Sequence, residues 1–284
     1  MTSSPPAPRS YETTGFAKVA GSPEGARSSR GAGSRNAGSF EAVLASVSDV
    51  EGWMTPGQAR LLWDSASAVP AGGRIVEIGS FRGRSLIVLA KAMGDGVELV
   101  AIDPHAGNDR GPQEFEGYAA EASEDNEVFE ANLAAAGVRD RVRHVRRYSH
   151  DALGDVAGDI DLLYIDGAHR FGPALHDIRR WSARVRPAGT LLIHDSFSSI
   201  GVTGALAVAL FFGPDFRYLG RSGSMTHYRR ERLHGLQRMD NALRQARSLP
   251  WFVRNVIIKA LLLAKLGVVA ERVFGYDRTM VWPH

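Results

Sequence analysis

The sequence predicts an α/β fold in which a mostly parallel sheet of seven strands has helices on both faces. Three observations predict it. Short apolar runs alternate with helical segments from residue 56 to residue 212, the order that produces a parallel sheet. Residues 160–165 are nearly all apolar, as in a strand buried on both faces. Residues 216–220 and 225–228 are two closely spaced β runs, which predict an antiparallel pair after the parallel strands.

The individual elements follow from the periodicity of the apolar residues. Residues 56–69 place Ala59, Leu62, Trp63 and Ala66 on one helical face, which predicts a helix leading into the domain. The polar, glycine-containing segment 108–123 is predicted to be a loop or lid. Further helices are predicted at residues 84–93, 126–136, 173–185, 202–212 and 231–248, and strands at residues 74–78, 97–102, 141–146, 160–165, 190–193, 216–220 and 225–228.

Composition divides the chain of 284 residues into three parts. Residues 1–39 are rich in Ser, Gly, Pro and Ala and cannot bury enough apolar surface to offset their ordering entropy, so we expect disorder there. Residues 40–230 are predicted to form the domain, and residues 231–284 a helical extension. The chain contains no cysteine, which excludes disulfides and thiolate metal sites. Because the N-terminal residues have no apolar secretion signal, we expect a cytoplasmic protein.

The extension differs from the domain in charge. Residues 41–222 carry a net charge of −7, whereas residues 223–284 carry +7. After Pro250, which breaks the helical pattern, residues 251–274 are apolar, but charged residues interrupt them too often for a membrane span. Three interpretations remain for this segment: a helix packed on the domain, a helix that forms a homodimer, or a helix lying on a membrane surface. The first two are favoured, since buried amphipathic helices are the commoner kind.

A glycine turn follows the first predicted strand. The stretch from Ile75 to Ser85 reads IVEIGSFRGRS, an apolar strand that runs into a Gly-x-x-x-Gly turn and then a helix. Gly79 and Gly83 allow close approach of a ligand to the backbone, at the strand end where open α/β sheets bind ligands. The turn has neither the glycine pattern for dinucleotides nor the Gly-Lys-Ser/Thr of a phosphate loop. Glu77 lies two residues before Gly79 and suits a positively charged ligand group.

The end of the second strand adds a related signal. Asp103 follows Ala101 and Ile102, where a carboxylate can accept hydrogen bonds from ribose hydroxyls. With Glu77 and the glycine turn, the sequence here resembles class I methyltransferases. That resemblance implies a Rossmann-like fold and S-adenosylmethionine as cofactor. It also implies a set of cofactor-binding residues: Glu77, Gly79, Ser80, Gly83, Ser85, Asp103, Asp166 and, after the third strand where adenine is usually contacted, Ser149.

Ionisable residues end two further strands. The fourth strand is followed by Asp166 and His169, and the fifth by His194 and Asp195. Because the carboxyl ends of parallel strands share one sheet edge, we expect these four residues to converge near the glycine turn. Two carboxylates with one or two imidazoles are a plausible site for a hard divalent cation, with Mg²⁺ typical and Mn²⁺ an alternative.

This arrangement is similar to a metal-dependent subgroup of methyltransferases that act on sugars and macrolides, and to the cephalosporin-hydroxylase-like proteins. The subgroup has an Ile-Asp-Gly-x-His motif, an Asp on the next helix and an acidic-Asp pair after the fifth strand. These correspond here to Asp166 and His169, to Asp177, and to His194 with Asp195. The resemblance implies that Asp166 and Asp195 bind the metal and that His169 is the general base, with Asp166 beside it. His194 replaces the usual Glu and becomes a candidate third ligand.

The leading functional hypothesis is therefore an O-methyltransferase for a sugar or oligosaccharide hydroxyl, for which a methylmannose polysaccharide or a glycolipid precursor is a suitable acceptor. A phenol or catechol acceptor is the nearest alternative. An RNA methyltransferase is less favoured, because the domain is acidic and no Asn/Asp-Pro-Pro-aromatic motif is present, so no nucleic-acid partner is expected. A non-catalytic binding protein with the same fold is the remaining alternative.

Overall fold

The computed structural model describes residues 39–106 and 118–276, with the side chains of residues 118–123 left aside. Most of the predicted disordered segment, the first part of the predicted loop or lid and the last eight residues of the chain lie outside the described residues. The statements below refer to the described part of the chain.

Seven strands form one sheet in the order β3-β2-β1-β4-β5-β7-β6, which confirms the predicted fold class. Strands β1 to β5 are parallel, and β7 runs antiparallel to both β5 and β6. Ile78 at the end of β1 pairs with Ile102 of β2 and Ile165 of β4, and Ile165 pairs with Ile193 of β5. These strands therefore end at one edge. The strands are β1 Arg74–Ile78, β2 Glu98–Ile102, β3 Val142–Val145, β4 Ile160–Ile165, β5 Val185–Ile193, β6 Phe216–Ser222 and β7 Met225–Arg230.

Helices cover both faces of the sheet. On each face, side chains from the sheet and from the helices form a buried apolar cluster. Alternation along β1 places Val76 and Ile78 in one cluster and Ile75 in the other. Trp181 is fully buried in the first cluster, and Phe129 in the second. The α-helices are α1 Phe40–Ser46, α2 Pro56–Ser67, α3 Arg84–Ala92, α4 Tyr118–Ala135, α5 Phe171–Ser182, α6 Ile200–Leu206, α7 Gly235–Ala246, α8 Leu249–Leu263 and α9 Gly267–Phe274.

Several element boundaries differ from the sequence prediction. Helix α4 begins at Tyr118, so the second part of the predicted loop is helical. The helix predicted at residues 202–212 consists of two parts: α6, which ends at Leu206, and a π-helical turn that follows it, Ala207–Phe211. Pro250 does not interrupt a helix: it lies in the first turn of α8, where a missing N–H costs nothing.

Two further features of the helices were not predicted. Helix α1 begins at Phe40, and the side chain of Ser39 caps it by accepting from the N–H of Ala42. Near the other end of the chain, the segment predicted as one helical stretch is divided between α8 and α9. Lys265 between them has a left-handed backbone with φ of +60°. Within the described residues, every helix falls short of the length or the apolarity needed to cross a membrane.

Candidate active site

The glycine turn after β1 lies directly against the end of β4. Gly79 and Gly83 have φ angles of +84° and +86°, in the left-handed region that favours glycine. A Cβ atom at Gly79 would lie 2.7 Å from the carbonyl carbon of Asp166 and 2.8 Å from the Cα of Gly167. At Gly83 it would meet Leu133 of α4 at 3.3 Å. The turn thus depends on glycine at Gly79 for both its conformation and its contact with β4.

Asp103 holds this turn in place from the end of β2. Its Oδ2 accepts hydrogen bonds from the backbone N–H groups of Ser80 at 2.8 Å and Phe81 at 2.9 Å. Its Oδ1 accepts from the backbone N–H of His105 at 2.8 Å. The carboxylate therefore fixes the turn, and its Oδ1 keeps capacity for a second donor because each carboxylate oxygen can accept two hydrogen bonds.

Glu77 lies beneath the turn and is completely buried. Its Oε1 accepts a hydrogen bond from the hydroxyl of Ser85, and its Oε2 one from the hydroxyl of Ser80 at 3.4 Å. Burial, together with the nearby charges of Asp166 and Asp103, raises the pKa of Glu77 to about 8 against the opposing effect of the Ser85 hydrogen bond. The ligand-free carboxyl is therefore largely protonated at neutral pH, although an approaching cation would favour its ionised form.

Asp166, at the end of β4, bonds to two side chains. Its Oδ2 accepts from the hydroxyl of Tyr164 at 2.9 Å, and its Oδ1 lies 3.2 Å from Nδ1 of His194. Burial raises the pKa of Tyr164 well above its usual value, as do the charges of Asp166 and Glu77, so the phenol keeps its proton and donates it. In the sequence Tyr164 is part of an apolar strand, and nothing in that pattern predicts its contact with Asp166.

His194 lies between two carboxylates. Its Nδ1 is 3.2 Å from Asp166 Oδ1 and 3.2 Å from Asp195 Oδ2, and the residue is almost fully buried. Burial alone would lower the pKa of His194, but the two carboxylates outweigh it and raise that pKa well above the usual value. His194 therefore carries a proton near neutral pH and supplies positive charge between Asp166 and Asp195.

His169 and Asp195 approach each other across the same edge. His169 Nε2 lies 2.6 Å from Asp195 Oδ2, yet this buried nitrogen has no correctly oriented hydrogen-bond partner among the described residues. Asp195 has a left-handed backbone with φ of +53°, which turns its side chain back toward His169 and His194. Burial would raise the pKa of Asp195, but the charges of the two histidines hold it well below its usual value.

These side chains form a group with the spacing of a metal site. One ligand atom each from Asp166, His169 and Asp195 lies within 4.8 Å of the others. Two carboxylates and an imidazole suit a hard or borderline divalent cation, and the badly oriented close approach of His169 Nε2 to Asp195 fits a site in which a cation would separate the two. The sequence analysis proposed His194 as the third ligand. In the structure His169 joins the two carboxylates in this group, and His194 Nδ1 lies 3.2 Å from an oxygen of each carboxylate, so the assignment of His194 stays a prediction.

Ser149, the candidate adenine contact, forms hydrogen bonds to other residues of the protein. Its hydroxyl donates to Asp177 on α5 at 2.5 Å, and its carbonyl accepts from the indole N–H of Trp181 at 3.2 Å. Burial raises the pKa of Asp177 to about 6, opposed by the Ser149 hydrogen bond. The hydroxyl proton of Ser149 is thus committed to Asp177, and its oxygen retains acceptor capacity.

Helix α8 of the extension reaches the loop that carries Asp195. The side chain of Asn255 donates to the carbonyl of Phe197 at 3.2 Å, and Lys259 Nζ donates to the carbonyl of Ser198 at 2.8 Å. Burial lowers the pKa of Lys259, and the charge of Asp195 partly opposes that shift. This contact between the extension and the site was not predicted from the sequence. The sequence feature that could have indicated this contact is the pair Asn255 and Lys259, two polar residues one helical turn apart within a mostly apolar segment.

Comparison with known proteins agrees with this architecture. Residues 76–196, which hold the glycine turn and end just past Asp195, match the family model described as a methyltransferase domain. Protein R132 of Acanthamoeba polyphaga mimivirus is 27% identical over 126 residues, which are 42% of this chain and 50% of that protein. The chain therefore spans about half the length of this curated relative.

Two solved structures share the fold. One is a cofactor-bound structure of Rv0187 from MTB, 22% identical, with a TM-score of 0.50, covering 69% of this chain and 90% of that chain. The other is a protein from Corynebacterium glutamicum, 15% identical, with a TM-score of 0.52, covering 68% of this chain and 91% of that chain. With the sheet order, they show that this chain has a Rossmann-like fold, and residues 76–196 within it match the methyltransferase domain model.

Proposed function

We propose that this protein transfers a methyl group from S-adenosylmethionine to a hydroxyl of a sugar or oligosaccharide. The observation that carries the proposal is the group formed by Asp166, His169 and Asp195, whose ligand atoms lie within 4.8 Å of one another. It lies beside the glycine turn, because Gly79 contacts the backbone of Asp166. Such a group would hold a divalent cation that polarises an acceptor hydroxyl, and it also contains a base to deprotonate that hydroxyl.

The proposed cofactor site consists of the glycine turn and its supports. Gly79 and Gly83 leave the backbone open to a ligand, while Ser80 and Ser85 hold the Glu77 carboxyl beneath the turn. We assign Glu77 to the ammonium end of the cofactor, acting through ordered groups. Asp103 uses the free capacity of Oδ1 for a ribose hydroxyl, and the oxygen of Ser149 faces the adenine end of the site.

Asp166 and Asp195 are the proposed cation ligands, with Mg²⁺ or Mn²⁺ as the ion. When bound, such a cation would lower the pKa of an acceptor hydroxyl. The protein must then place the hydroxyl oxygen in line with the methyl–sulfur bond and remove its proton. His169 Nε2 takes that proton as the oxygen–carbon bond forms, and the carbon–sulfur electron pair stays on the sulfur that leaves as a thioether. The negative charge of the nearby Asp195 stabilises the resulting imidazolium.

The experiment is methyl transfer from labelled S-adenosylmethionine to a panel of acceptors, with and without EDTA and with Mg²⁺ or Mn²⁺ restored. The panel contains mannose oligosaccharides, a glycolipid-type sugar, a catechol and an RNA. We expect labelling of a sugar, a loss of at least tenfold with EDTA, and a loss of about 1,000-fold for His169→Gln. Asp64→Asn, an exposed carboxylate on α2, is the matched control and should keep full activity.

Each of the other possible outcomes would change one part of the proposal: the acceptor, the cation or the catalytic role. Labelling of the catechol alone would assign a phenol acceptor, and salt-sensitive labelling of the RNA would assign a nucleic-acid acceptor. Full activity in EDTA would remove the cation from the proposal while leaving methyl transfer intact. Binding of S-adenosylmethionine by calorimetry without transfer to any acceptor would favour a non-catalytic binding protein.

A further inference from the structure

The exposed large apolar side chains are concentrated in the extension. Eleven of the seventeen in the described part of the chain belong to residues 231–276. Isolated exposed apolar residues are ordinary, but a concentration of this kind marks a contact surface. The largest ordered piece of that surface is α8.

Helix α8 has its apolar residues outward and its charges inward. Val253 is 53% exposed and Ile257 39%, and with Leu249 and Leu263 they occupy one face of the helix. Its two charged residues point the other way: Arg254 donates to the carbonyl of Phe274 at 2.6 Å, and Lys259 to that of Ser198. The charged side chains of α8 thus bond to the protein, while its apolar face is exposed. Such a face gains stability when another apolar surface covers it.

Exposed basic residues lie near both ends of α8 and on the neighbouring α9. Arg247 precedes α8, Lys265 follows it and Arg272 lies on α9, and all three are exposed. Residues 231–276 contain eight basic and three acidic residues, which is a net charge of +5 beside an acidic domain. An apolar helix face with basic flanks is complementary to an anionic lipid surface.

A second copy of the chain fits this face less well. In a two-fold symmetric contact, α8 would pack against α8 of the other copy. The end beside Arg247 and the end beside Lys265 are both basic, so like charges would meet whether the two helices ran parallel or antiparallel. A span is excluded for this helix, since it lacks the length and apolarity that crossing requires.

We propose that the outward face of α8, with its basic flanks, docks the protein on the surface of a membrane that contains anionic phospholipid. The apolar side chains enter the boundary between headgroups and acyl chains, and Arg247, Lys265 and Arg272 face the anionic headgroups. This inference does not depend on which acceptor is methylated.

The test is co-sedimentation of the full chain with vesicles of phosphatidylcholine alone or with one third phosphatidylglycerol. We expect binding to the mixed vesicles and a loss of about fivefold in affinity when salt is raised from about 0.05 to 0.5 M. The double variant Val253→Ser with Ile257→Ser should bind at least about tenfold more weakly, because two apolar side chains no longer enter the lipid.

Leu219→Ser is the matched control, because Leu219 is 49% exposed but lies on β6. It should bind the mixed vesicles as the unchanged chain does, and both variants should melt at the same temperature as that chain. Absence of binding to the mixed vesicles overturns the proposal, as does equal binding by the double variant. A dimer in sedimentation equilibrium that the double variant converts to monomer also overturns it, because a second copy would then cover the face.

Discussion

The glycine turn and the tips of β4 and β5 adjoin each other, but their electrostatics differ. In the turn, backbone N–H groups and hydroxyls are paired with Asp103 and Glu77, and burial keeps the Glu77 carboxyl protonated near neutral pH. At the strand tips, two carboxylates and two imidazoles crowd together, and His169 Nε2 approaches Asp195 without a proper hydrogen bond. The polar groups of the turn are thus paired within the protein, whereas at the strand tips His169 Nε2 lacks a well-oriented partner among the described residues, which is why we propose a cation there.

This difference predicts how each region responds to substitution. Changes in the turn should alter stability, because its bonds are internal to the fold. Changes at the tips should alter ligand affinity, because their charges are only partly balanced by protein groups.

The largest effect is expected for Gly79→Ala. The new Cβ would overlap the backbone of Asp166 and would also require a left-handed backbone at a non-glycine residue. We expect a loss of more than about 4 kcal/mol in the free energy of unfolding, measured by urea denaturation. Gly72→Ala is the control, with φ of +81° and no atom within 4 Å of its Cβ, and should cost about 1 kcal/mol. Equal losses for the two variants would contradict the close approach at Gly79.

The second effect is a pH dependence of stability due to Glu77. Its pKa in the folded protein, about 8, exceeds the ordinary value of 4.5, so the folded state binds more protons than the unfolded state between these values. Stability of the ligand-free protein should therefore fall as pH rises, by roughly 2.5 kcal/mol between about pH 5.5 and 7.5. Glu77→Gln should remove this slope in denaturation measured at several pH values. A slope that persists in the variant would assign it to other groups.

The third and smallest effect concerns the strand tips. His194→Glu replaces an imidazolium between two carboxylates with a third carboxylate, so divalent cations should bind more tightly. We expect a gain of about tenfold in Mn²⁺ affinity, measured by calorimetry or electron paramagnetic resonance. His150→Glu, at an exposed histidine, is the control and should leave that affinity unchanged. Equal affinities for His194→Glu and the unchanged chain would show that His194 does not compete with the cation.

The sequence was sufficient for the features that depend on periodicity. The alternation of apolar runs predicted all seven strands and the antiparallel pair, because burial on one or both faces leaves a regular pattern. It also predicted that Gly79 and Asp166 lie at one sheet edge, since parallel strands share their direction. Their close contact in the structure follows from that arrangement.

The remaining features depend on local backbone geometry and on long-range contacts. His194 and Asp195 are neighbours in sequence, and no pattern reveals that Asp195 takes a left-handed conformation and turns toward His169. The presence of His169 in the candidate metal group follows from that turn. Likewise, the start of α4 at Tyr118 was missed because the segment before residue 126 is polar and lacks a helical apolar stripe.

The contact between α8 and the loop after β5 has a practical consequence for anyone who shortens this chain. A fragment ending at residue 230 matches the compositional boundary, yet it would remove the amide and ammonium groups that bond to the carbonyls of Phe197 and Ser198. It would also uncover the core surface against which Trp251 and Phe252 pack. Residue 230 is therefore a poor end point for a fragment, because the extension that follows it packs against the core of the domain.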